Sequence, residues 1–440
     1  MSRLPQEIIV DILTYLPAKS LIRFKCVCRS WRSLISDPQF AKLHLKRAYE
    51  DENMNRQRLL VATDPLYSVD FEAASDGDNG NALVKLPYPN AESHNDSFAV
   101  GLFLGSCDGI VCILDEVDNV VLWNPSTRES KKLPGPSSFL NKDFSTGLGY
   151  DSSTDDYKMV IASSATATGS DQIMVEVFTL KTNTWRTVQG SLSGITLGGR
   201  YEGVFWNGAL LWLGKQEGGA AHDLDVIVPF DIEEEKFMEA VPLPNHFYTA
   251  FLSISGNCLC VLGQLKPSGS CFEAWLASEY GVETSWKRLF AFPVDKLYLD
   301  CYSTEMWLTK KGEVLVDNRG CPGKLTLYHP VEDARKLLKV ENDGDPFYDS
   351  AIYTENALGG APLLVETKTW RKVPDIDISD GEFKEVVPLP DHFDTVVLGR
   401  QETACVHLAN AMEAISRQGH MIKNMIARQG ISEKMIQAPS

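Results

Sequence analysis

The chain has 440 residues, a formal net charge of −17, 44% hydrophobic and 23% charged residues, a composition that suits two or three ordinary globular domains. No run of about 18 uninterrupted apolar residues occurs and the start MSRLPQEIIV lacks the apolar centre of a secretory leader, so neither a membrane span nor export is expected. The acidic balance argues against broad electrostatic binding of nucleic acid or an anionic membrane. The expectation is an intracellular protein of the cytoplasm, the nucleus or both, with no nucleic-acid and no membrane partner.

Residues 4–47 contain no Gly, and their prolines fall at helix edges. Ile8, Ile12, Leu13 and Leu16 recur at helical spacing, as do Phe24, Val27, Cys28, Trp31, Leu34 and Ile35. Pro5 suits the first turn of a helix that reaches about Tyr15 and stops before Pro17. A short helix is expected from Lys19 to Phe24, with Ser20 available for capping, and another from Cys26 to Ile35. Asp37-Pro38 reads as an N-cap with Pro at the next position, opening a helix to about Ala48 whose C-terminal end carries Lys46 and Arg47. Such a module is too short to bury a sizeable core and is expected to dock on a partner. Residues 1–48 hold nine Lys/Arg against three Asp/Glu, so the module is basic in an acidic chain. That balance steers it toward an acidic partner, although a solvated basic helix face has the same composition.

The order of these elements resembles the F-box. Leu4-Pro5 matches the family's start, Ile12, Leu13, Leu16 and Pro17 its Ile-Leu-x-x-Leu-Pro step, and Ser20-Leu21, Val27-Cys28-Arg29-Ser30-Trp31 and Asp37-Pro38-Gln39-Phe40 its later elements. In that family the module binds the Skp1 adaptor and joins a cullin–RING ubiquitin ligase. The resemblance implies adaptor-binding roles for Leu4, Pro5, Ile8, Ile12, Leu13, Leu16, Pro17, Ser20, Leu21, Val27, Cys28, Trp31, Leu34, Ile35, Pro38 and Phe40.

Residues 49–57 read as a linker, and from about Arg58 the texture changes to short strands and turns. Similar units recur: Gly109–Leu114 with Val120–Arg128, Tyr157–Ile161 with Val175–Leu180 and Thr184-Trp185-Arg186, and Gly203–Gly208 with Leu210–Leu213 and Ile227–Ile232. Cys258–Leu262 with Phe272–Leu276, and Gly312–Val316 with Lys324–His329, continue the series. The period overlaps that of propeller blades, about 40–50 residues each. In each unit an apolar strand turns through a pair such as Asp108-Gly109 or Asn207-Gly208 and returns. Five units and a sixth shared by both ends are expected, with residues 59–71 pairing near 347–358; a β-sandwich is the alternative.

This region resembles the F-box-associated interaction domain of plant F-box proteins. The residues that carry the likeness are Val121-Leu-Trp-Asn-Pro-Ser-Thr-Arg128, Leu148-Gly-Tyr-Asp151 with Asp156-Tyr-Lys158, Trp185-Arg186, Asn207-Gly208, Glu279-Tyr-Gly281 with Ser285-Trp286, Gly312-Glu-Val-Leu315 and Ala351-Ile-Tyr353-Thr-Glu355. The glycine doublets of ordinary kelch repeats and the Trp-Asp pair of WD40 repeats are missing, so the blade type rests on the resemblance as much as on the repeat. The expected class is α+β multidomain: a helical F-box at 1–48, an all-β propeller-like domain of about six blades at 58–358, and an irregular C-terminal extension.

In that extension, residues 376–393 echo 230–247, and residues 369–373 echo 184–188, at a different offset. Residues 359–408 therefore read as a partial extra repeat, which is a partial blade, an edge hairpin or the scar of a gene fusion. Residues 409–440 read as a helical or disordered tail.

Catalytic signatures are missing. The eight His form no zinc pattern, and no GxSxG, P-loop or GxGxxG follows a strand. His246 and His392 are expected to pack in turns, Asp155-Asp156 and Glu233-Glu234-Glu235 to be solvated turn charges, and Trp123, Trp185 and Trp286 to pack between blades. The ten Cys, with Cys-x-Cys pairs at 26/28 and 258/260, are expected to be buried thiols. No cofactor or metal is expected. The reading is a non-catalytic substrate receptor that meets a Skp1-like adaptor at one end and an unknown target protein on the β domain. The alternatives are a propeller enzyme and an adaptor-bound regulator outside a ligase.

Overall fold

The computed structural model describes residues 6–50, 56–63, 66–75, 82–89, 102–115, 119–136, 144–164, 172–197, 202–216, 224–265, 271–279, 286–296, 304–309, 311–318, 324–339 and 349–356. The chain divides into two compact units, one of Met1–Arg23 with Ser33–Glu366 and one of Phe24–Arg32 with Thr367–Ser440. The expected extra repeat and tail lie outside the described residues.

Four helices open the chain: α1 Gln6–Thr14, α2 Ala18–Phe24, α3 Arg29–Ile35 and α4 Pro38–Glu50. The first ends in tight turns, Tyr15 N donating to Ile12 O and Leu16 N to Leu13 O, just before Pro17. Asp37 Oδ1 accepts from Gln39 N at 2.7 Å, which is the expected N-cap of α4. Two boundaries differ from expectation. Lys25–Val27 form a turn, so α3 starts at Arg29 and not at Cys26. The fourth helix runs on to Glu50 and the first strand starts at Gln57, both inside the stretch read as a linker.

Within Phe24–Arg32, Val27 N donates to Phe24 O at 3.1 Å and Arg32 Nε to Lys25 O at 3.3 Å, which fixes the turn. Phe24 and Trp31 meet edge to face at 5.3 Å.

The strands form four-stranded antiparallel blades. Blade two is β4 Leu102–Cys107, β5 Ile110–Leu114, β6 Val120–Trp123 and β7 Ser130–Lys132, in that order. Blade three is β8 Phe144–Asp151, β9 Asp156–Ser164, β10 Gln172–Thr179 and β11 Thr184–Ser191. Blades four and five share one nine-stranded sheet, built on β14 Ala209–Gln216 and β15 Leu224–Asp231 in one and β18 Cys258–Leu265, β19 Cys271–Ala277 and β20 Trp286–Pro293 in the other. The long strand β17 Val241–Ser255 joins them, pairing with β15 through Val241–Phe247 and with β18 through Phe247–Ser255. His246, expected in a turn, is exposed on this strand. Blade six is β21 Thr304–Leu308 to β24 Ala334–Lys339.

Blade one closes the ring. Its strands β1 Gln57–Ala62, β2 Leu66–Asp70 and β3 Leu83–Leu86 are completed by β25 Asp349–Thr354, which runs antiparallel to β1 from Gln57↔Thr354 to Ala62↔Asp349.

Strand periodicity explains why the blades stack. On β5, Ile110 and Cys112 face blade three while Val111 and Ile113 face blade one. On β14, Leu210 and Trp212 face blade three and Leu211 and Leu213 face blade five. On β1, Leu59 and Val61 meet blade six, and Leu60 and Ala62 meet blade two. Each consecutive pair of blades shares one apolar cluster, and blade six shares one with blade one. This cyclic packing is that of a propeller, not of a two-sheet sandwich.

Tyr353 sits at the closure, 5% exposed, with its hydroxyl 2.9 Å from Ser68 Oγ. Tyr353→Ala should lower the unfolding free energy by about 3 kcal/mol, judged by the usual cost of emptying an aromatic core site. Denaturant titration checks it, and an unchanged midpoint would show that the closing strand contributes little.

Candidate functional site

The sequence-derived docking residues divide by burial. Leu13, Leu16, Leu21, Ile35 and Phe40 are buried and hold the helices together. Ile8, Ile12, Pro17, Ser20, Val27, Trp31 and Leu34 are half-buried, and Cys28 and Pro38 are exposed. Leu4 and Pro5 lie outside the described residues. A partner can touch the second and third groups directly, whereas the first group acts through the fold.

Helices α1 and α4 are bound to each other and to the ring. Arg47 pairs with the Asp11 carboxylate and lies over the Tyr15 ring at 4.5 Å. His44 is fully buried; its Nε2 lies 2.8 Å from Leu16 O, and Arg56 Nη1 lies against both ring nitrogens. Arg56 also donates to Thr14 O at 3.1 Å. Burial, with the Arg56 charge beside it, pushes the His44 pKa down to about 3, so the ring stays neutral.

Tyr49, in the last turn of α4, donates to Asp108 Oδ1 at 3.3 Å, and Tyr157 donates to Oδ2 at 3.2 Å. Burial raises the pKa of the Asp108 carboxyl, and the two hydroxyls oppose that rise. Asp108 and Gly109 take φ of 51° and 77°, as the Asp-Gly turn requires. A Cβ on Gly109 would stand 2.3 Å from Thr354 O, so only glycine lets this hairpin approach the closing strand. Lys42 Nζ meets Asp155 Oδ1 at 2.6 Å in a largely solvated pair worth little by itself. Gln57 Nε2 crosses from blade one to donate to Ile254 O of blade five at 2.9 Å.

The motif Leu148-Gly-Tyr-Asp151 with Asp156-Tyr-Lys158 performs structural work. Lys158, buried, places Nζ 2.7 Å from Asp151 Oδ2, 2.7 Å from Glu235 Oε1 and 2.9 Å from Ile232 O, joining blade three to blade four. Arg186 also pairs with Glu235. Asp156 accepts from the backbone N–H of Tyr157 at 2.8 Å and of Lys181 at 3.0 Å. Asp156 and Glu235 are thus buried partners, not the solvated turn charges expected, whereas Asp155, Glu233 and Glu234 are exposed. Sequence spacing hides this because Asp151, Lys158 and Glu235 come from separate strand ends.

Trp123 packs between blades one and two, Trp185 against the cluster of blades two and three, and Trp286 against that of blades four and five. The inner strands surround a cavity of about 320 Å³, whose lining includes Tyr49, Asp108, Glu202, Trp206 and Trp307. Among the described residues no cluster of three or more His, Cys, Asp or Glu is arranged to hold a metal ion. No helix among them is long and apolar enough to cross a membrane. Cys107, Cys112 and Cys260 are buried, and burial pushes the Cys260 thiol up to about 12. Cys26 and Cys28 are exposed instead of buried, because the 25–27 segment is a surface turn.

Comparison with known families gives two matches: residues 1–45 fit the family described as F-box-like, and residues 58–353 fit that described as the F-box associated beta propeller domain. An F-box/kelch-repeat protein of Arabidopsis thaliana is 27% identical over 363 residues, covering 80% of this chain and 94% of that protein. The F-box protein CPR1 of Arabidopsis thaliana is 30% identical over 317 residues, covering 66% of this chain and 73% of that protein.

The His44 knot makes stability depend on pH. A neutral histidine with a folded pKa near 3 and an unfolded value near 6.5 contributes fully above 6.5 and loses its contribution as pH falls toward 3. Between pH 7 and pH 5 the protein should lose about 2 kcal/mol through this group. His44→Gln should flatten that part of the stability–pH curve, and equal slopes for the two proteins would remove His44 from the account.

Proposed function

Since the chain belongs to the F-box protein family whose members carry an F-box associated β-propeller domain, we propose that it is the substrate receptor of a Skp1–cullin–F-box ubiquitin ligase. The observation that carries the reading is the pairing, in one chain, of the ordered F-box elements with a six-bladed ring. The half-buried and exposed residues of the helical module, Ile8, Ile12, Pro17, Ser20, Val27, Cys28, Trp31, Leu34 and Pro38, meet the Skp1-like adaptor, and through it the cullin–RING ligase. The buried residues of the motif, Leu13, Leu16, Leu21, Ile35 and Phe40, serve docking by fixing the helices.

The protein performs no bond chemistry in this reading. It raises the effective concentration of target lysines near a charged ubiquitin-carrying enzyme, a scaffolding contribution to rate. It works inside the cell, in the cytoplasm, the nucleus or both, with neither nucleic acid nor membrane as its partner.

Helix α4 and Gln57 lie against the ring end where Asp108-Gly109 and Ile254 sit. We assign target recognition to the other end of the ring, because the first end is already engaged by the helical module. The enzyme reading requires convergent reactive groups at a cavity mouth, and Asp108, a carboxylate that lines the cavity, is instead taken up by two tyrosines.

Val27→Asp tests the reading at a half-buried turn position that leaves the buried helix contacts intact. It should weaken binding to a purified Skp1-type adaptor by roughly tenfold or more, a loss of about 1.4 kcal/mol, with the thermal midpoint of the ring unchanged. A wild-type chain that folds but shows no adaptor binding, or a variant that binds as tightly, would defeat the reading.

A further inference from the structure

Cysteine is among the residue types most often buried, so two exposed thiols within three residues call for a chemical reason. Among the described cysteines only Cys26 and Cys28 are exposed; Cys107, Cys112 and Cys260 are buried and Cys258 and Cys271 half-buried. The exposed pair flanks Val27 in the turn between α2 and α3. That turn is held by backbone bonds, Val27 N to Phe24 O and Arg32 N to Cys28 O, and by Arg32 Nε to Lys25 O. Neither thiol is needed for these bonds. The Ser30 hydroxyl lies 3.1 Å from Cys28 Sγ, and Arg29 and Arg32 are exposed on the same segment. The segment thus presents two accessible sulfur nucleophiles in a basic setting, one residue either side of a docking position.

We propose that Cys26 and Cys28 form a thiol-modification site that takes glutathione, and that the adduct prevents adaptor docking. The proposal rests on the reading of this turn as part of the adaptor surface. A cysteine thiol loses its proton, and the thiolate attacks one sulfur of glutathione disulfide. The sulfur–sulfur bond of the disulfide breaks, a protein–glutathione disulfide forms, and the departing glutathione thiolate takes up the proton. The protein sulfur is oxidised and one glutathione half is reduced. Glutathione disulfide is the co-reactant, scarce in a reducing cytosol and raised when that poise is disturbed. The adduct adds a bulky anionic tripeptide beside Val27 and Trp31, which removes local positive charge and blocks close approach. Excess glutathione reverses the step by the same exchange, so the site reports redox state without permanent damage.

The test uses the full chain and a purified Skp1-type adaptor. The chain is treated with glutathione disulfide, mapped by peptide mass, and titrated with adaptor before treatment, after it, and after dithiothreitol. The expected result is an adduct on Cys26 or Cys28 and none on Cys107, Cys112 or Cys260. Affinity should fall by roughly tenfold or more, returning on reduction. Cys26→Ser with Cys28→Ser, whatever affinity it starts from now that a docking residue is changed, should show no change in affinity on treatment or reduction; Cys26→Ser, which keeps the docking residue Cys28, and Cys28→Ser identify the thiol that matters. No adduct at either position, an adduct with unchanged affinity, or the same loss in the double variant would overturn the proposal. A reduced chain that never binds adaptor removes the docking reading and the switch with it, and the mass map distinguishes that failure from unreactive thiols.

Discussion

Each sheet of this protein is apolar on both faces, and the rest of the structure follows from that constraint. A four-stranded blade with Val111 and Ile113 on one side and Ile110 and Cys112 on the other cannot stand in water alone. Stacking buries both faces, but a linear stack leaves its two end blades wet. Closing the ring removes those ends, and the chain does so by sharing blade one between its two halves. Arg58 of the first strand pairs with Asp70 and with Glu355 just beyond the last strand, so charge reinforces the junction that apolar packing demands.

Among the described residues, short polar contacts fasten the helical module to this ring. Buried Arg56 and His44 tie the helices to the chain entering blade one, while Tyr49 meets Asp108 at a hairpin tip. Contacts of this type depend on direction, so they set the angle at which α4 leaves the ring. The turn carrying Cys26, Val27 and Cys28 offers a different property, accessible sulfur at a surface whose backbone is already satisfied.

Several motif residues that define the ring family in sequence have internal partners. Tyr157 and Tyr49 share Asp108, Lys158 spans two blades, and Asp156 closes a turn onto Lys181. Such residues are engaged inside the ring and say little about the target. A left-handed residue also recurs at one place, the end of the loop between third and fourth strands: Arg128, Asn183, Glu235 and Asp333, with φ between 51° and 68°. Four different residue types fill one backbone role, so no shared letter betrays the repeat there.

The residues alone determined the helix edges at Pro17 and Asp37-Pro38, the tight turns at Asp108-Gly109 and Asn207-Gly208, the blade-like repeat and the pairing of its two ends. These are local or periodic properties, written in caps, glycines and strand alternation, and they need no knowledge of distant neighbours. Only the tertiary structure decided which charges are buried, that Val241–Ser255 is one strand bridging two blades, and that Cys26 and Cys28 lie outside the core. It also decided which F-box positions hold the helices and which remain open to a partner. Burial and pairing are set by segments far apart in the chain, and a charge such as Lys158 acquires its meaning only when Asp151 and Glu235 are folded against it.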